Sequence, residues 1–99
     1  MNICFQYLYR DYGNFKNWGD VIFSNPNGLD IGQIKSMLEK VLIDQAYFVA
    51  SKVNVPNLYF EDYKENLDHV WHEFFSIEYT DEKPNDIYGR TIEKFVESI

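Results

Sequence analysis

One segment of the chain constrains the fold most, because its apolar residues recur at the spacing of an amphipathic helix. Asp30 stands where the N-cap of that helix belongs, and Gln33 follows at the position that completes a capping box. The sequence therefore predicts a helix from about Asp30 to Ile43, and its apolar stripe must pack against a sheet. That stripe consists of Ile34, Met37, Leu38, Val41 and Leu42.

The segments before this helix show the alternation that is typical of half-buried strands. The first, Asn2–Arg10, places four large side chains on one face, and the second is Trp18–Ser24. The connection Asp11–Asn17 is rich in Gly, Asn and Asp, which favours a loop between two hairpin strands. The four large side chains of the first strand are Ile3, Phe5, Tyr7 and Tyr9.

Two further strands and a second helix are predicted after residue 46. Tyr47–Val55 has apolar residues on both parities, which indicates a strand buried on both faces, and Pro56 ends it. Asn57–Asp68 fits either a short helical turn or a loop, and Val70–Thr80 is predicted as a long strand. The last apolar residues have helical spacing and predict a closing helix. They are Ile92, Phe95, Val96 and Ile99.

The predicted order is β-β-α-β-β-α over residues 1–99, which we interpret as a single α+β domain. An antiparallel sheet with helices packed on one face buries the apolar side of every element in this order. The chain has 99 residues, which suits one core, and 18% of them are aromatic, so a few large side chains can fill it.

Charge and cysteine content narrow the possible environments. The net charge is -7, and eight acidic residues between Glu61 and Glu82 stand against Lys64 alone. Such a field repels phosphate, so direct nucleic-acid binding is not expected. Cys4 is the single cysteine, and the chain has no signal-peptide pattern or long apolar run, so we expect a cytoplasmic protein without membrane contact.

The densest group of chemically useful side chains lies between residues 67 and 74. Asp68, His69, His72 and Glu73 would suit a metal site or an acid–base pair. His69 and His72 would share one face of a helix, but on the predicted strand they point to opposite faces and cannot chelate one ion. These residues could equally be polar side chains at the entry to a strand.

Glu73 is the least expected member of this group. On an unbroken strand it shares its parity with Trp71, Phe75 and Ile77, which would place its carboxylate on the core face. A buried carboxylate is costly unless it is paired or protonated, and such groups are often functional. His72 would lie on the face opposite to Glu73. Alternatively, Glu73 lies near the strand end, where it could reach solvent or pair with a cation.

The first loop supplies a second candidate surface. Tyr12, Phe15 and Trp18 lie among Gly and Asn residues, with Arg10 and Lys16 nearby. If these aromatics are exposed, they form a surface that resembles the hot spot of a protein interface. If they fold back over the sheet edge, they are a small satellite core.

Two functional hypotheses follow. The first is a non-enzymatic interaction module that binds a protein partner, or itself as a homodimer, through the aromatic loop or through acidic residues such as Glu61, Asp62 and Glu65. The second is a small hydrolase-like enzyme or metal-binding domain with a site around residues 68–73. Neither hypothesis requires a cofactor.

Overall fold

A computed structural model of the protein describes residues 1–65 and 67–99. It contains four strands, β1 (Asn2–Arg10), β2 (Lys16–Phe23), β3 (Tyr47–Phe48) and β4 (His72–Thr80). The two helices are α1 (Ile31–Val41), between β2 and β3, and α2 (Ile92–Glu97), after β4. The predicted α+β class, with a four-stranded antiparallel sheet and two helices, is confirmed.

The sheet has the strand order β2-β1-β4-β3, and each neighbouring pair is antiparallel. The predicted hairpin of β1 and β2 forms in continuous register from Ile3 opposite Phe23 to Arg10 opposite Lys16. Its loop is tight, because Asp11 and Phe15 bond across it and Asn14 takes a positive φ of 67°. In this strand order β1 and β4 are the central strands, and β2 and β3 are the edge strands.

The core lies on one face of the sheet. Ile3, Phe5, Tyr7 and Tyr9 are all fully buried, as the alternation of β1 predicts. Phe95 of α2 packs edge-on against Phe5, with ring centroids 4.8 Å apart. Both helices contribute to the same buried cluster, through Ile34, Leu38, Ile92, Phe95 and Val96.

The start of α1 follows the sequence signal closely. The Asp30 side chain accepts from the backbone N–H of Gln33, and the Gln33 side chain accepts from the backbone N–H of Asp30. The predicted capping box is therefore confirmed. The closing helix is also present, and it begins at Ile92 with Thr91 as its N-cap.

The predicted strand Tyr47–Val55 is wrong after Phe48. A 3-10 helix over Ala50–Lys52 interrupts the predicted order between β3 and β4. Apolar residues occur on both parities because the chain curls into the core, where Ala50, Val53 and Val55 are buried. Residues 57–65 and 67–68, which the sequence left open, contain neither a helix nor a strand.

Strand β4 contains a β-bulge that the sequence pattern does not reveal. Gln6 of β1 is opposite Ser76, but the next residue, Tyr7, is opposite Phe74, so Phe75 is left without a partner on β1. An extra residue in one strand reverses the faces of all side chains on one side of it. The first part of β4 is therefore inverted relative to the prediction.

Among the described residues, no helix is long and apolar enough to cross a bilayer.

Candidate functional site

The bulge at Phe75 places His72, and not Glu73, on the core face. His72 pairs with Tyr9 in the sheet register and has 1% of its surface exposed. Glu73 pairs with Leu8 and with Tyr47 and lies on the opposite, outer face. The prediction that Glu73 occupies the core face is therefore wrong, and so is the prediction that His72 faces away from the core.

Glu73 forms an ion pair at the edge of the outer face. Its carboxylate accepts from Nε of Arg10 over 2.9 Å and from a second guanidinium nitrogen over 3.3 Å. Arg10 also donates to the side-chain oxygen of Asn14 in the hairpin loop, over 2.6 Å. Glu73 thus helps to fix the loop through Arg10.

His72 is enclosed by aromatic rings. Its ring centroid lies 5.2 Å from that of Tyr9, 5.4 Å from Tyr59 and 5.9 Å from Phe48. Nε2 accepts from the backbone N–H of Leu58 over 3.1 Å. A neutral ring that accepts at Nε2 carries its hydrogen on Nδ1.

Burial lowers the pKa of His72 to about 4, with His69 acting in the same direction and the backbone of Val70 opposing it. His72 is therefore neutral near pH 7. Its Nδ1 makes no hydrogen bond of ordinary geometry to any described residue. Through Nε2, the neutral ring serves as a buried hydrogen-bond acceptor for Leu58 in the segment that follows Pro56.

Tyrosine hydroxyls attach the same segment to the sheet. Tyr7 donates to the carbonyl of Pro56 over 2.6 Å, and Tyr9 donates to the carbonyl of His69 over 2.7 Å. Desolvation raises the pKa of both phenols, so both remain protonated donors. The chain is thus bonded to β1 at Pro56 and again at His69.

Asp68 also has a positional role. One carboxylate oxygen accepts from the backbone N–H of Lys64 over 2.9 Å, and the other accepts from that of Tyr12 over 3.1 Å. These backbone hydrogen bonds lower the pKa of Asp68. Nδ1 of His69 accepts from the backbone N–H of Trp71 over 3.1 Å.

The four residues predicted as a chemical site therefore do not converge on one point. His72 faces the core, Glu73 faces outward, and Asp68 and His69 accept hydrogen bonds from nearby backbone. Within residues 1–65 and 67–99, no group of three or more His, Cys, Asp or Glu side chains is arranged to hold a metal ion.

The aromatic residues of the first loop are exposed. Tyr12 is 65%, Phe15 70% and Trp18 52% accessible to solvent. Phe75, which the sequence pattern assigned to the core, is 58% exposed and stacks edge-on with Trp18 at 4.9 Å. No sequence signal marks Phe75 as exposed, because the bulge arises from its pairing with β1.

The hydrogen bond between Tyr12 and Asp68 joins the two surfaces that the sequence proposed separately. It ties the backbone of the aromatic hairpin loop to Asp68, which follows the acidic residues Glu61, Asp62 and Glu65 in the chain, and these three are all exposed. We call this combined surface the aromatic–acidic end. It consists of Tyr12, Phe15, Glu61, Asp62 and Glu65, whereas Trp18 and Phe75 form a separate exposed pair on the outer face of the sheet.

Comparisons of the chain with models of protein families, with curated proteins and with solved structures found no match.

Proposed function

We propose that this protein is a non-enzymatic interaction module that binds a basic protein partner through the aromatic–acidic end. The observation that carries the proposal is the hydrogen bond from the backbone of Tyr12 to Asp68, which ties the loop that bears the exposed aromatic side chains to the segment that bears the exposed carboxylates. Aromatic anchors contribute most of the energy in many interfaces, and surrounding charges select the partner. The matching partner surface carries Lys or Arg around an apolar centre.

The order of the hairpin loop supports this role. Phe15 donates its N–H to the Asp11 carboxylate over 2.9 Å, and Arg10 bonds Asn14. A loop that is held in place before binding loses less conformational entropy when a partner docks. The exposed rings of Tyr12 and Phe15 are therefore presented on a fixed frame.

The contacts of the polar cluster favour binding over catalysis. The buried imidazole of His72 already accepts from Leu58, and both oxygens of Asp68 accept from backbone. These groups fix the backbone at Leu58, Lys64 and Tyr12. A general base needs a free acceptor within reach of a substrate proton, and these groups accept bonds from the protein itself.

The proposal is tested by affinity capture from the native cell lysate, followed by binding measurements with the purified captured protein. Phe15→Ser should weaken binding at least about tenfold, as expected for a hot-spot residue. Ile43→Ser is the matched control, because Ile43 is an exposed apolar residue outside this surface. Equal losses for both variants would contradict the proposal.

Charge reversal tests the electrostatic part. The triple variant Glu61→Lys, Asp62→Lys, Glu65→Lys should weaken binding and reduce its salt dependence. Reversal of three exposed acids elsewhere, Glu39, Glu82 and Glu97, makes the same change in net charge and should leave most of the binding. Binding that is insensitive to salt and to the first triple variant would overturn the proposed partner chemistry.

The alternative is that the same surface binds a second copy of the chain. Light scattering distinguishes such a dimer from a monomer that binds another protein. A dimer that dissociates on Phe15→Ser would show that the surface binds a second copy instead of a basic partner. A monomer at high concentration would be consistent with the proposed partner.

A further inference from the structure

The two edges of the sheet differ in how they are protected. Strand β3 is only two residues long, and a short edge offers little backbone for pairing. Strand β2 has eight residues, contains no proline and pairs with β1 without a bulge. Long, regular edges of this kind are the ones that accept an additional strand.

The outer edge of β2 is already used at one end. The backbone N–H of Asn85 donates to the carbonyl of Ile22 over 3.0 Å, and the Asn85 side chain accepts from the N–H of Ile22 over 2.8 Å. The Ile92 N–H donates to the carbonyl of Ser24 over 2.9 Å. The even-numbered residues of β2 therefore direct their backbone groups away from β1.

By the alternation of an antiparallel strand, the N–H and C=O groups of Trp18 and Asp20 also point outward. Across residues 1–65 and 67–99, no hydrogen bond is made to these outward groups of either residue. Asn85 therefore pairs with β2 only at Ile22, and the outward backbone groups of Asp20 and Trp18 are left available for hydrogen bonds.

A cleft of about 530 Å³ lies beside this open edge, a volume within the usual range for ligand sites. Its lining includes Asp20 and Val21 of β2, Val55 and Pro56, and also Ile87 and Tyr88, which are 85% and 60% exposed. Val21 lies on the core face of β2, whereas the alternation of the strand places the side chains of Trp18 and Asp20 on the outer face.

We propose that the open edge of β2 binds an extended segment of a partner protein, which adds a fifth strand beside Trp18 and Asp20. The alternating side chains of such a segment would point in turn into the apolar cleft and toward the outer face. The carboxylate of Asp20 and the ring of Trp18 favour Lys or Arg at the outer positions. The ligand is therefore a strand that alternates apolar and basic residues.

This site is independent of the aromatic–acidic end, and its test uses different residues. Random peptides displayed on phage are selected on the immobilised protein, and the enriched sequences are synthesised. We expect peptides that alternate β-branched and basic residues and contain no proline in the bound stretch. Added to 15N-labelled protein, they should slow hydrogen exchange at the amides of Trp18 and Asp20, which we expect to exchange fast in the free protein because they lack hydrogen-bond acceptors among the described residues.

Two substitutions of Asp20 distinguish the contribution of its backbone N–H to peptide binding from that of its carboxylate. Asp20→Pro removes an outward N–H that β1 does not use, so an edge strand tolerates it. It should weaken the selected peptides at least about tenfold, the effect of one lost hydrogen bond and a disturbed register. Asp20→Ala keeps the N–H and should weaken binding less and reduce its salt dependence.

Circular dichroism and the melting temperature establish that Asp20→Pro is folded, and N-methylation of the peptide provides a test that does not alter the protein. Methylation at alternate residues should abolish binding, whereas methylation at the residues between them should not. No enriched peptide, equal sensitivity at every residue or unchanged binding to Asp20→Pro would each overturn the proposal. Concentration-dependent protection of the Trp18 and Asp20 amides without peptide would also overturn it, because a second copy would then occupy the edge.

Discussion

The backbone N–H of Leu58 donates to Nε2 of His72 over 3.1 Å, and this hydrogen bond ties an irregular segment of the chain to the first residue of β4. The imidazole can accept only while it is neutral at Nε2. Its burial among aromatic rings keeps it neutral by opposing the charged form. The attachment of Leu58 to β4 therefore depends on the protonation state of one histidine.

The first prediction concerns the pH dependence of stability. His72 has a pKa of about 4 in the folded protein, against 6.5 for an unperturbed histidine. Between these values the unfolded chain binds a proton that the folded chain does not. The free energy of unfolding should therefore fall as the pH drops below 6.5, by up to about 1.4 kcal/mol per pH unit.

Urea unfolding at several pH values from 7 to about 5 measures this slope. That range lies above the one in which Asp68 and Asp86, whose pKa values are lowered, take up protons. His72→Gln should remove most of the slope. An identical slope in the parent protein and in His72→Gln would contradict the assignment.

The second prediction concerns the hydroxyl of Tyr9. This side chain is fully buried, and its hydroxyl donates to the carbonyl of His69 over 2.7 Å. Tyr9→Phe preserves the ring packing but leaves that carbonyl without its donor. It should reduce the free energy of unfolding by about 1–2 kcal/mol in denaturant titrations.

Tyr12→Phe is the matched control for Tyr9→Phe, because the Tyr12 side chain is exposed. It should change stability by less than about 0.5 kcal/mol. If the two variants were equally stable, the hydroxyl of Tyr9 would not be needed to hold the segment 56–70.

The parts of the fold that local sequence determines were predictable. The alternation from Ile3 to Tyr9 needs no knowledge of neighbouring strands, because burial on one face is enough to impose it. The capping box of Asp30 and Gln33 involves residues in one turn of chain. Such short-range patterns keep their meaning in any tertiary context.

The parts that pairing determines were not predictable from one sequence. The faces of His72 and Glu73 depend on the register between β4 and β1, which shifts at Phe75. Nothing in the composition of β4 marks that position. The sequence pattern accordingly assigned two adjacent residues, His72 and Glu73, to the wrong faces.

The third prediction concerns the close approach of Leu58 to β2. A Cβ atom at Gly19 would lie 3.0 and 3.1 Å from the two methyl carbons of Leu58, which is closer than normal contact. The cost of Gly19→Ala should therefore depend on Leu58. In a double-mutant cycle, Gly19→Ala should be better tolerated in the Leu58→Ala background by about 1 kcal/mol.

Additive effects of these two substitutions would show that Leu58 does not rest on Gly19. Gly13→Ala provides a control in the same cycle, because the nearest atoms to its added Cβ belong to Asp11 and Phe15. Its effect should be the same with Leu or with Ala at position 58.

The last prediction concerns Arg90, which bonds to the backbone at Asn54, a residue that lines the cleft beside β2. Its guanidinium donates to both carboxylate oxygens of Asp86, over 2.9 and 3.0 Å, and to the carbonyls of Val53 and Asn54, over 2.7 and 3.0 Å. Burial raises the pKa of Asp86, but the hydrogen bonds and the charge of Arg90 outweigh burial and lower that pKa. Asn54 has a positive φ of 55°, so this bend is held in an uncommon conformation.

Lysine cannot replace this arrangement, because an ammonium group lacks the planar fork that reaches a carboxylate and two carbonyls at once. Arg90→Lys should therefore lower the free energy of unfolding by about 2 kcal/mol, measured in urea at pH 7. Lys94→Ala breaks an exposed ion pair with Glu97 and should cost less than about 0.5 kcal/mol. A loss for Arg90→Lys as small as that for Lys94→Ala would mean that the bend at Asn54 is maintained by the packing of Val53 and Val55 alone.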